Sequence, residues 1–78
     1  MEENLVRMAN ELFQLCCKAI KKEKRISFRL SNIGVFCRID IGDETYELYR
    51  NRDLYRNSLI NYRDCLESLR RIIEKPQT

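Results

Sequence analysis

The sequence predicts a two-layer α+β domain, a three-stranded antiparallel meander packed against two helices in the order α-β-β-β-α. Apolar residues recur at helical spacing before Lys24, alternate with polar ones from there to Arg50, and return to helical spacing from Asn51 onward. At 78 residues one domain, 1–78, is all that fits, and no repeat, linker or low-complexity segment divides it. A chain this short buries only about 60% of its unfolded surface, so help from a partner or from a second copy is expected.

The first element is an amphipathic helix from about Glu3 to Lys22. Leu5, Ala9, Leu12, Cys16 and Ile20 step by four and three along one face, with Met8 and Phe13 flanking it. In the first strand Ile26, Phe28 and Leu30 alternate with Arg25, Ser27, Arg29 and Ser31, which turns the apolar set to one side. Asn32-Ile33-Gly34 interrupts that pattern. The second strand places Val35, Cys37, Ile39 and Ile41 inward and Phe36, Arg38 and Asp40 outward; after a turn at Gly42-Asp43, the third offers Tyr46 and Leu48. The last helix carries Tyr55, Leu59, Tyr62, Leu66, Leu69 and Ile73 until Pro76 ends it, with Asn51 or Ser58 as its candidate N-cap.

Register follows from the turns. A two-residue turn at Gly42-Asp43 pairs Ile39 with Tyr46 and Cys37 with Leu48 inside, and Arg38 with Glu47 and Phe36 with Tyr49 outside. A turn over Asn32 and Ile33 pairs Ile26 with Ile39, Phe28 with Cys37, Arg25 with Asp40 and Arg29 with Phe36. Two rows of the outer face then balance their own charge and read as a solvated surface. The third row groups Phe36, Tyr49 and Arg29 beside Ile33, the composition of an interface hot spot or of a base-stacking platform.

Charge is polarised along the chain. Residues 18–38 hold Lys18, Lys21, Lys22, Lys24, Arg25, Arg29 and Arg38 against the single acid Glu23, a balance of +6. Residues 39–49 answer with Asp40, Asp43, Glu44 and Glu47, which is −4. Such polarity suits a complementary protein surface or self-association as naturally as nucleic acid, and cations at the end of the first helix also complement its dipole. A second basic group, Arg50, Arg52 and Arg56, stands where the last helix begins and would suit phosphate. The element order is shared with double-stranded-RNA-binding domains. The likeness ends at topology, because the chain has neither a Lys-Lys pair followed by alanine and lysine there nor a Gly-Pro-His run in its strands.

The four cysteines offer no metal knuckle: Cys16 and Cys17 are adjacent, Cys37 is on a strand, Cys65 is on the last helix, and the chain has no histidine. Cys16, Cys37 and Cys65 read as small core hydrophobes, with Cys17 the one expected to be exposed. Neither a metal site nor a cofactor is expected. Catalysis is not expected either, since no histidine base, activated nucleophile or glycine-rich phosphate loop is present. With no apolar run of about 20 residues and no signal-peptide layout, the chain reads as cytoplasmic and without membrane contact.

The expected function is therefore binding without catalysis. A protein partner with an acidic surface would meet Arg29, Phe36 and Tyr49 and be steered by Lys21, Lys22 and Lys24; chains of this size commonly serve as adaptors, regulators or virus- and plasmid-encoded inhibitors. The long apolar stripe of the last helix, through Leu69, Ile72 and Ile73, also favours a homodimer. The alternative is RNA or DNA bound through Arg50, Arg52 and Arg56.

Overall fold

The structure, a computed structural model, describes residues 2–23 and 25–76. Its element order is α1 (Glu2–Ala19), β1 (Ile26–Leu30), β2 (Val35–Ile41), β3 (Glu44–Tyr49) and α2 (Tyr55–Glu74), with a 3-10 turn over Arg52–Leu54. The three strands form one antiparallel sheet in the order β1-β2-β3, and both helices cover the same face. This is the α+β arrangement that the spacing predicts.

Helix α1 carries Glu2 and Glu3 in its first turn and Lys18 in its last, which complements the helix dipole at both ends. It buries Leu5, Met8, Ala9, Leu12, Cys16 and Ala19. The helix stops at Ala19, short of Lys22, in a turn where the amides of Lys22 and Glu23 both reach the Ala19 carbonyl at 2.9 Å. Ile20, expected on the core face, is consequently half exposed.

The second hairpin has the expected register, with Cys37 opposite Leu48, Arg38 opposite Glu47 and Ile39 opposite Tyr46. Gly42 in its turn has φ +60°, and a Cβ there would lie 3.3 Å from a guanidinium nitrogen of Arg25. The first hairpin differs by two residues from the expected register: Ile26 pairs with Ile41, Phe28 with Ile39 and Leu30 with Cys37. The loop is longer than a two-residue turn. Its closing bond runs from the Ser31 amide to the Phe36 carbonyl at 3.0 Å, Ser31 Oγ accepts from the Ile33 amide at 3.1 Å, and Gly34 takes φ +74°. A shift of two preserves the alternation of faces, so the inward set is unchanged while the outward rows are re-paired. Ser27, not Arg25, now stands opposite Asp40, and Arg29 stands opposite Arg38.

One irregularity matters more. Val35 and Cys37 of β2 face the consecutive residues Tyr49 and Leu48 of β3, so Phe36 is the extra residue of a β-bulge. The bulge exchanges two side chains. Val35 takes the outer place opposite Tyr49, and Phe36 turns inward, where it is 8% exposed and belongs to the core. The expected outward Phe36 is thus corrected, and the driving force is the burial of an aromatic ring beneath α1.

Helix α2 buries Ser58, Cys65 and Leu69. Its inner face is rotated away from Leu59, which is half exposed, toward Ser58. The reason is a hydrogen bond: Ser58 Oγ accepts from the Tyr49 amide at 2.8 Å and donates to the Leu54 carbonyl at 3.3 Å, so a fully buried hydroxyl is satisfied on both sides. Ser58 is therefore an interior residue of α2 and not its N-cap. Asn51 caps the 3-10 turn instead, its side-chain oxygen accepting from the Asp53 amide at 2.8 Å. Ile72 and Ile73 pack half-buried against the core, so the C-terminal part of the apolar stripe is covered within the chain.

Candidate functional site

The aromatic patch expected on the outer sheet face is dispersed by the bulge. Phe36 lies in the core, and the Arg50 guanidinium covers its ring at 4.8 Å from the centroid. Tyr49 stays on the outer side, half-buried, with its hydroxyl 3.4 Å from a Glu47 carboxylate oxygen. Burial, with Glu47 beside it, raises the Tyr49 pKa. Arg29 is exposed beside Arg38 and joins no ion pair among the described residues.

The rest of that face is polar and internally matched. Asp40 Oδ1 accepts from Thr45 Oγ1 at 2.7 Å and from Arg38 Nε at 3.3 Å, and Asp40 Oδ2 accepts from Ser27 Oγ at 3.0 Å. These bonds, led by that from Thr45, hold the Asp40 carboxyl below its ordinary pKa.

The basic groups separate into free and engaged members. Lys21 is exposed, whereas Lys22 donates its ammonium to the carbonyls of Ile73 and, at 2.7 Å, Lys75, fastening the end of α2 to the end of α1. Lys24 lies outside the described residues. Arg50 is also engaged: it reaches Glu2 at 2.9 Å and the Ser31 carbonyl at 3.0 Å while stacking on Phe36, and its buried Nε has no partner among the described residues. Arg52 and Arg56 are exposed and lie outside every ion pair among the described residues.

An open apolar surface lies elsewhere, between the N-terminal half of α1 and the edge strand β1. A cleft of about 620 Å³ is lined there by Val6, Phe13, Phe28, Leu30 and Phe36, with Glu3, Arg7 and Asn10 at its rim. Val6 is 52% exposed, Phe13 47% and Leu30 57%, although Leu30 has the inward parity of its strand. The flank of α1 and the end of β1 are therefore left partly uncovered. The Phe13 ring meets Phe28 edge-on, 5.2 Å between centroids, and closes the middle of the gap. Ile33, 80% exposed in the β1–β2 loop, stands near one end of the strand. One signal for this surface was in the sequence. Val6 and Phe13, seven residues apart, lie on α1 beside the line used by the core.

The four cysteines are free; Cys16, Cys37 and Cys65 are buried and Cys17 is exposed. Burial raises the buried thiols from the usual 9.0 to about 11 at Cys16 and about 12 at Cys37 and Cys65, so none is activated as a thiolate. No group of three or more His, Cys, Asp or Glu side chains is placed to hold a metal ion among the described residues, and none of the described helices is long and apolar enough to cross a membrane. No protein-family model, curated protein or solved structure matches the chain, so its own geometry must carry the functional reading.

Proposed function

We propose that this chain is a non-catalytic interaction module, an adaptor, regulator or inhibitor that works by occupying a protein surface. The observation that carries the reading is the α1–β1 cleft. In so small a domain, an open apolar groove bordered by aromatic rings and a polar rim has the composition of a binding surface. The contact residues are accordingly Val6, Phe13 and Leu30, with Arg29 alongside, in place of the Phe36 and Tyr49 pair. Lys21 and Arg29 supply exposed positive charge that would speed association with an acidic partner. The absence of catalysis is part of the same reading. The buried thiols are held neutral, and the outer-face carboxylate Asp40 is held ionised by its hydrogen bonds.

Nucleic acid is the competing reading, carried by exposed Arg52 and Arg56. Its stacking platform lacks the Phe36 ring, and Arg50 is engaged within the chain. Site-specific photo-crosslinking in cells separates the two. A crosslinking side chain at position 13 is expected to capture a discrete protein, and one at position 56 is expected to capture none. Nucleic-acid adducts from position 56 with no protein from position 13 would overturn the proposal.

A further inference from the structure

The two edges of the sheet are treated differently. The closing bonds of the first hairpin, Ser31 amide to Phe36 carbonyl at 3.0 Å and Gly42 amide to Arg25 carbonyl at 2.8 Å, fix which pairs exchange hydrogen bonds. In an antiparallel ladder these alternate, so Arg29 and Ser27 bond to β2 while Ile26, Phe28 and Leu30 turn their amides and carbonyls outward. No hydrogen bond among the described residues reaches those outward groups. At the opposite edge the same parity turns Glu47 and Tyr49 outward, and α2 meets them. Asn61 donates to the Glu47 carbonyl at 2.9 Å, and Ser58 accepts from the Tyr49 amide at 2.8 Å. One edge is closed by side chains of its own helix; the other is open, beside the apolar cleft.

We propose that the β1 edge takes up an extended segment of a partner protein as a fourth strand, and that this segment alternates apolar and acidic residues. The proposal rests on the interaction-module reading and names the form of partner it takes. A strand added about 4.8 Å beyond β1 lies under the outer flank of α1. Its inward side chains would then meet Val6, Phe13 and Leu30. Its outward side chains would lie beside Ser27 and Arg29, the open-face residues of β1, and beside Arg25 just before the strand. Arg29 faces the like charge of Arg38 across the ladder and pairs with no acid among the described residues, so an incoming carboxylate is favoured there and an incoming cation disfavoured. The same charge argues against a second copy as occupant. Symmetric β1-to-β1 pairing would gather Arg25, Arg29 and Arg38 of both copies on one face, and charged residues on a short edge strand are a device against such pairing.

The test titrates the labelled protein with capped nine-residue peptides, followed by amide NMR. The probe alternates valine with glutamate, and its counterpart replaces every glutamate by lysine. The glutamate peptide is expected to shift and protect the Ile26, Phe28 and Leu30 amides and to bind about tenfold more tightly than the lysine peptide. Arg29→Glu, at an exposed position that leaves the fold intact, should reverse that order. Of two N-methylated probes, one blocked at the valines and one at the glutamates, only one should lose binding, because backbone pairing uses alternate amides. Equal affinity for both charge types, or shifts away from β1, would overturn the proposal. So would concentration-dependent shifts of these amides without peptide, which would make a second copy the occupant. If no peptide binds the edge while position 13 still crosslinks to a protein, strand addition fails and the interaction module stands. If neither occurs, both fail.

Discussion

Replacing Phe36 by alanine tests the bulge directly. An aromatic side chain buries about 150–250 Å², which at about 25 cal/mol per Å² corresponds to about 4–6 kcal/mol. That is an upper bound, because an unfolded chain already shields part of its rings. The site also opens onto the cleft, so water can enter where a sealed core would hold a void. Losing the Arg50 stacking adds about 0.5–1 kcal/mol. The expected net loss is about 3 kcal/mol. Since small domains have urea m-values near 1 kcal/mol/M, the unfolding midpoint should fall by about 3 M. That is a large part of the stability available to a domain of this size, so Phe36→Leu, expected to cost about 1 kcal/mol, provides the milder variant. A Phe36→Ala stability within about 0.5 kcal/mol of the parent would contradict burial of the ring. It would place the ring on the solvent face, where unbroken alternation along β2 puts it.

Other expectations concern groups the fold has buried. Ser58→Ala should cost about 1–3 kcal/mol by leaving the Tyr49 amide without its acceptor, and hydrogen exchange at that amide should accelerate; unchanged exchange would mean that α2 does not seal the β3 edge. In the folded protein at pH 8, Cys17 alone should react with a thiol reagent, and the other thiols should react at the rate of unfolding. Burial holds Cys16, Cys37 and Cys65 protonated in the fold up to about 11, 12 and 12, whereas the unfolded thiols ionise near 9.0, so the unfolded state binds fewer protons above that pH. The stability they contribute is present in full below about pH 9 and declines as pH rises toward 11 to 12. Comparing urea midpoints at pH 8 and pH 10.5 checks the sign, and the decline should be shallower in Cys65→Ala. An equally steep decline in that variant would assign the effect to other groups, such as Tyr62, which burial and Glu11 also raise to about 12.

Much of the fold was legible because its signals are local. The switch between helical and alternating spacing gives the element order, and a two-residue turn at Gly42-Asp43 gives the register of the second hairpin. The first hairpin was legible only to its parity. A loop closed by Ser31 and Phe36 and a two-residue turn over Asn32 and Ile33 place the same residues on the same faces, and only the pairing distinguishes them. The candidate site was less legible. Arg29 is the exposed cation that alternation predicts, but Phe36 was displaced by a bulge that no turn residue announces, and Arg50 and Lys22 are engaged by distant acceptors on Glu2, Ser31, Ile73 and Lys75.

Local periodicity accounts for two amphipathic helices, three short strands and the inward placement of Cys16, Cys37 and Cys65. Which parts of those faces are covered depends on how the elements pack. Alternation assigns Leu30 to the inner face, but no other segment covers it fully, and it stands in the mouth of a cleft beside α1. Side chains of α2 close the β3 edge, while β1 stays open. Periodicity is a property of one chain segment and its own backbone geometry, whereas coverage depends on where another segment lies. Residues far apart in sequence settle that together.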